Sequence, residues 1–195
     1  MKDARLARAL SLVTLGWLAA ESGLGLAAGF EAHSIALLGW GTSALVEAMA
    51  GLIVVWRFTG SRLRSPSAER VARRLVAVSF WVLAPYLVCH VAYDLHEGYR
   101  PEPTALGIAV TTISLVSMPL LGLAKRRIGA RLGSPATVGE GTQNLLCAAM
   151  AGAVLAGLAL NTLGWWWVDA IAALLLAVTA VGEGRRAWRG EACCH

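Results

Sequence analysis

Apolar residues come along this chain in blocks about 20 residues long, the length a helix needs to cross about 30 Å of hydrocarbon. Six blocks, roughly 6–29, 34–58, 72–95, 103–123, 137–161 and 165–183, predict six membrane-spanning segments. Backbone groups in lipid must be satisfied internally, so each segment is expected to be α-helical. Only a few residues around Asn161–Gly164 separate the fifth block from the sixth, which predicts a tight hairpin. The first block is too long, and followed by too many others, for a cleaved signal peptide. The tails and loops are short. The pattern therefore predicts one all-α integral membrane domain over residues 1–195, with no separate soluble or cytosolic C-terminal domain.

Polar positions inside the blocks change this picture most. Glu47 sits near the middle of the second block, where a charge costs roughly 2.5–3.5 kcal/mol on insertion scales. Ser43 lies four residues before it, on the same helix face. Gly39, Gly41, Ala44, Ala48 and Gly51 surround the pair, and small residues let helices approach closely in lipid. The fifth block opens with VGEGTQNLLCAAM, which sets Glu140, Gln143, Asn144 and Cys147 at i, i+3, i+4 and i+7, one stripe of carboxylate, amide and thiol groups. Gln143 and Cys147 repeat the spacing of Ser43 and Glu47. The two pairs occupy matching places in the two three-segment halves, as transporter sites near the bilayer midplane do. Glu47 and Cys147 offer an anionic oxygen and a potential thiolate, Gln143 a carbonyl oxygen, and Ser43 a weaker hydroxyl. Together they suit a divalent metal, and zinc accepts such N, S and O ligands. Metal binding to these groups expels protons, and returning protons release metal, so Glu47 is a candidate shared proton and metal site.

Charge then orients the segments. All 17 Lys and Arg except Arg100 lie before the first segment, between the second and third, between the fourth and fifth (Lys125, Arg126, Arg127, Arg131) or after the sixth. The positive-inside rule puts both termini in the cytosol of a plasma or inner membrane. The net charge of +5 follows from this topology and from anionic lipid headgroups, and implies no nucleic acid. Composition agrees, with 57% hydrophobic and 15% charged residues, against about 25% charged in soluble domains. No hydrolytic triad, HExxH, glycine-rich phosphate loop or CxxC is present, so the chain is not read as an enzyme.

Other polar residues admit two readings each. Glu21 either relays protons or pairs with a bundle neighbour. Gln143 and Asn144 either bind metal or tie helices together, and a membrane Cys such as Cys147 is by itself a small apolar filler. His90 reads as a structural hydrogen-bonder, Pro85 as a kink, and Trp165, Trp166 and Trp167 as an interfacial belt. The terminal Cys193, Cys194 and His195 either capture cytosolic metal or form a frayed end. No disulfide framework is expected.

Six spans with inward termini and paired ligands in the second and fifth resemble the membrane domain of cation diffusion facilitators. The strings SIALLGWGTSALVE (34–47), RPEPTALGIA (100–109), MPLLGLAKRRIG (118–129), TQNLLCA (142–148), LNTLGWWWVD (160–169) and RGEACC (189–194) are similar to those of compact bacterial cation-efflux members that have only the six-helix domain. The resemblance implies a divalent cation/proton antiporter, zinc being the first choice, working by alternating access as a homodimer, with no permanently bound cofactor. It places the ligand pairs on Ser43 and Glu47 and on Gln143 and Cys147. It puts Glu140 where the family usually has Asp, and Asp169 on the family's Asp at the start of the sixth span. One departure is that the family expects Asp where this chain has Ser43. The site then binds metal more weakly with water, recruits Glu140, or has lost transport. The last outcome would make the chain a degenerate membrane metal-sensing or scaffold protein.

Overall fold

The computed structural model describes residues 2–31, 35–98, 105–161 and 167–191. Six long helices make up most of them: α1 (Lys2–Glu31), α2 (Ile35–Arg57), α3 (Pro66–Glu97), α4 (Ala105–Leu132), α5 (Pro135–Asn161) and α6 (Trp167–Arg189), with a short 3₁₀ helix at Gly60–Arg64. There is no strand among the described residues. Two segments there, Pro66–Glu97 and Ile108–Leu132, are long and apolar enough to cross a membrane.

Several helices outrun the apolar blocks that predict them. α4 continues nine residues past 123, and α3 begins at Pro66 rather than near 72. Hydropathy falls where charged residues begin, but helical hydrogen bonding stops only where the backbone is capped or turned. At the start of α3, Ser65 accepts a hydrogen bond from Ala68 N at 3.2 Å and Pro66 occupies the first turn, where its missing N–H costs nothing. At its end Gly98 adopts φ 64°, and Gly133 turns α4 into α5 with φ 58°, conformations that favour glycine. α3 runs unbroken through Pro85.

The helices pack as three main pairs: α1 with α2, α4 with α5, and α3 with α6. Contacts of α1 with α4 and of α2 with α5 close the first two pairs into a four-helix ring. The α3–α6 pair lies against its α2 and α5 side. α4 and α5 cross closely. A Cβ on Gly122 would lie 2.7 Å from the Gly141 carbonyl oxygen, and one on Gly141 would lie 2.7 Å from that of Gly122. Backbone meets backbone there because neither residue has a side chain. At the α3–α6 joint, Trp81 and Trp188 set their rings 5.4 Å apart.

The outer surface is apolar, unlike that of a soluble bundle, while the interior mixes an apolar core with buried polar groups. Val116, Leu120, Leu175 and Val178 are 61–70% exposed. Ser11, Thr14, Glu21, Glu47, Lys125 and Glu140 are buried. Apolar groups face outward and the ionisable groups at membrane depth face inward, as a lipid solvent favours.

Candidate functional site

The two ligand pairs suggested by spacing lie on α2 and α5, which touch across the four-helix ring. Ser43 and Glu47 are both buried on α2, and Gln143 and Cys147 are both buried on α5. The Cys147 thiol and the Glu47 carboxylate lie within interaction range of each other where the helices meet. Glu21 of α1 is near enough to interact electrostatically with both. Leu18, Ala44, Met118 and Ala148 pack around Cys147, so all four helices of the ring contribute to the wall. The groups that meet are thus one carboxylate and one thiol, with an amide and a hydroxyl one turn away. Among the described residues, no three His, Cys, Asp or Glu side chains converge to hold a metal.

The Gln143 amide is satisfied at one end only. Its Oε1 lies 3.2 Å from Ser79 Oγ on α3, while its buried Nε2 has no hydrogen-bond partner. The Ser79 hydroxyl also donates to the Val76 carbonyl at 2.8 Å. It has one hydrogen and two lone pairs. A half-turn of the amide therefore lets Nε2 donate to Ser79 Oγ, and the carbonyl oxygen then becomes the free end. In that orientation Gln143 presents an acceptor suited to a cation.

Glu140, a candidate metal or supporting carboxylate, is held in a buried network of its own. Its Oε1 accepts from Lys125 Nζ at 2.7 Å and its Oε2 from Ser11 Oγ at 2.7 Å. Lys125 also donates to Thr14 Oγ1 at 2.7 Å and to Asn144 Oδ1 at 3.3 Å. The Asn144 amide nitrogen contacts Met118 Sδ at 3.2 Å. Lys125, counted by sequence with the basic loop, is instead carried inward by α4 and is 0% exposed. Its burial could have been inferred from helix periodicity. Thr111, Ser114, Met118, Gly122 and Lys125 recur on one face of α4, and all five are buried. Ser11 and Thr14 on α1 gave no charge signal, yet they share a face with Glu21.

The remaining candidates separate from this centre. Glu21 accepts a hydrogen bond from Ser114 Oγ at 3.3 Å, and Ser114 accepts from Trp17 Nε1 at 3.2 Å. Glu21 is thereby tied to a bundle neighbour. His90 pairs with Asp94 one turn on, Nε2 to Oδ2 at 3.5 Å, at a half-buried position. Cys89 is exposed, and neither it nor Cys147 is in a disulfide. Asp169 is on α6, but its side chain lies outside the described residues, as do Trp165, Trp166, Cys193, Cys194 and His195.

A second polar cluster fastens one end of the bundle. Glu69 of α3 accepts from Arg57 Nε of α2 at 2.7 Å, from Ser134 Oγ at 2.9 Å, and from the Ala136 backbone N–H at the start of α5 at 3.1 Å. A carboxylate on a helix N-terminus offsets its unsatisfied donors and its dipole. One side chain thus joins α2, α3 and α5.

Residues 11–189 match the family model of the cation efflux transmembrane domain. The chain belongs to the cation efflux family. It is a membrane protein of cation-transporting type, and the match takes in α2 and α5 in full together with the Lys125–Glu140 network. In this cation efflux domain, the ring of α1, α2, α4 and α5 encloses the only described thiol–carboxylate pair.

Proposed function

We propose that this cation efflux protein exports divalent cations, zinc first, in exchange for protons. Its six helices each cross a plasma or inner membrane, both termini face the cytosol, and two copies form the working unit. The observation that carries this reading is that the buried Cys147 thiol and Glu47 carboxylate meet across α5 and α2. A metal taken up between this sulfur and this oxygen would have to displace a proton held there. Zinc takes thiolate sulfur and carboxylate oxygen together, and it can do so only after that proton leaves. Metal and proton exclude one another at one spot, which is what exchange requires. Gln143, with its carbonyl turned inward, and Ser43 or a water complete the coordination. Alternating access then carries either the loaded or the protonated pair between the two faces.

The test is zinc uptake into proteoliposomes with and without an imposed pH gradient. Gradient-dependent uptake that is lost in Glu47→Gln, with the variant still folded, is the expected result. Unchanged uptake in that variant would overturn the assignment.

Ser43 favours a second reading. It lacks the charge of the Asp that the family resemblance leads one to expect, so the chain is on that view a non-transporting sensor or scaffold. Ser43→Asp separates the two readings. On the transport reading it strengthens zinc binding in a protein that already transports. Transport that exists only in Ser43→Asp marks the native chain as degenerate.

A further inference from the structure

The Lys125 ammonium has three N–H donors, and the fold supplies three oxygens: Thr14 Oγ1 at 2.7 Å, Glu140 Oε1 at 2.7 Å and Asn144 Oδ1 at 3.3 Å. No nitrogen or sulfur atom faces it among these contacts. Ser11 holds the other Glu140 oxygen. The oxygens come from α1, α4's partner α5 and no loop, and their carrier side chains are buried. This is the ligand chemistry of a hard cation site, filled by a cation that is covalently attached.

The cage adjoins the proposed metal site. Glu140 and Asn144 share the α5 stripe with Gln143 and Cys147. Gly51, one turn beyond Glu47 on α2, stands beside the cage, where a Cβ would lie 3.3 Å from Glu140 Oε1. A buried ion pair is a poor way to gain stability, because desolvation offsets most of its attraction and apolar side chains of similar volume serve as well or better. An interhelical tie alone does not call for a lysine here.

We infer that Lys125 is a specificity-determining residue, a tethered cation that occupies the oxygen cage and bars hard divalent cations from Glu140. The inference rests on the transport reading for its purpose. With Glu140 satisfied internally and Glu21 tied to Ser114, the carboxylate that meets α5 is Glu47, and its partner is a thiol. A cation entering the ring meets sulfur as well as oxygen. Zinc and other thiol-binding metals tolerate this, whereas Mg2+ and Mn2+ prefer oxygen alone. Without the ammonium, Glu140, Thr14, Ser11 and Asn144 would offer such ions an oxygen site immediately beside the path.

The experiment is Mn2+ binding to purified protein in detergent, read from loss of the free-ion signal in electron paramagnetic resonance. Wild type is expected to bind Mn2+ weakly. Lys125→Met should bind about one Mn2+ per chain, about tenfold more tightly or better, the scale on which ligand charge tunes oxygen sites. Adding Glu140→Gln to that variant should abolish the gain. A folded Lys125→Met that binds no more Mn2+ than wild type overturns the inference. So does a gain that survives Glu140→Gln. If Lys125→Met aggregates while the double variant folds, rescue of the single variant by Mn2+ supports the cage and failure of rescue overturns it. None of these readouts depends on transport. A wild type that moves no zinc refutes the proposed function and leaves the Mn2+ result intact. A zinc-transporting protein whose Lys125→Met variant gains no Mn2+ site refutes only the cage.

Discussion

The Glu69 junction offers the sharpest test of how the helices are held. Replacing Glu69 by Ala removes the acceptor shared by Arg57, Ser134 and the Ala136 N–H. Arg57 and Glu69 side chains are 9% and 15% exposed, so water restores only part of what is lost. Truncating one partner of a fully buried pair costs about 3–5 kcal/mol. Two facts reduce that here. Glu69 is partly exposed, and Arg57 keeps its bond to the Arg62 carbonyl and its position over the Phe58 ring. A loss of about 3 kcal/mol is expected, in line with one or two charge-assisted hydrogen bonds. For a chain of this size each kcal/mol moves Tm by about 2–4 °C, which gives a fall of roughly 6–12 °C. Glu69→Gln keeps an acceptor for Ser134 and Ala136 and should lose about half as much. The assay is thermal unfolding of purified protein in detergent, with both variants compared in one buffer. A Glu69→Ala midpoint within about 2 °C of wild type would show that the junction contributes nothing net, as many exposed ion pairs do.

Two further outcomes are expected. Gly122→Val forces side-chain atoms against the Gly141 carbonyl, so α4 and α5 must separate, at a cost of about 3 kcal/mol; a sharp fall in monodisperse protein on size exclusion is the readout, and normal yield and Tm would contradict the close crossing. Ser79→Ala removes the hydrogen bond to Gln143 and should leave the protein folded while weakening zinc binding by calorimetry several-fold, about 1 kcal/mol for one neutral hydrogen bond; unchanged affinity would exclude Gln143 orientation as a contributor.

The helices were legible because a lipid solvent imposes one secondary structure on every long apolar block. Their ends were less so: α3 and α4 extend through charged residues, where hydropathy has already fallen. The i, i+4 spacing of Ser43 with Glu47 and of Gln143 with Cys147 identified two helix faces, and the structure sets those faces in contact through Glu47 and Cys147. Lys125 was hidden for a physical reason. A basic residue beside others in sequence looks like a headgroup contact, yet a helix turns 100° per residue and sends its neighbours elsewhere. Lys125 is buried, while Arg127, two residues on, is exposed. Ser11 and Thr14 were hidden because a hydroxyl in an apolar segment can bond to its own helix, as both also do, to Ala7 and Leu10 carbonyls. Only their third dimension, the presence of Glu140 and Lys125 opposite, gives them another task.

The pairing of α3 with α6 has a consequence for biosynthesis. α1 finds α2, and α4 finds α5, as soon as the next segment emerges. α3 must wait for α6 to be made before Ala77 and Trp81 meet Gly184 and Trp188. Until then that flank rests against lipid or the insertion machinery, with its indole unmatched. Emergence of α6, rather than insertion of any earlier segment, is therefore the moment at which these six helices can first reach their complete arrangement.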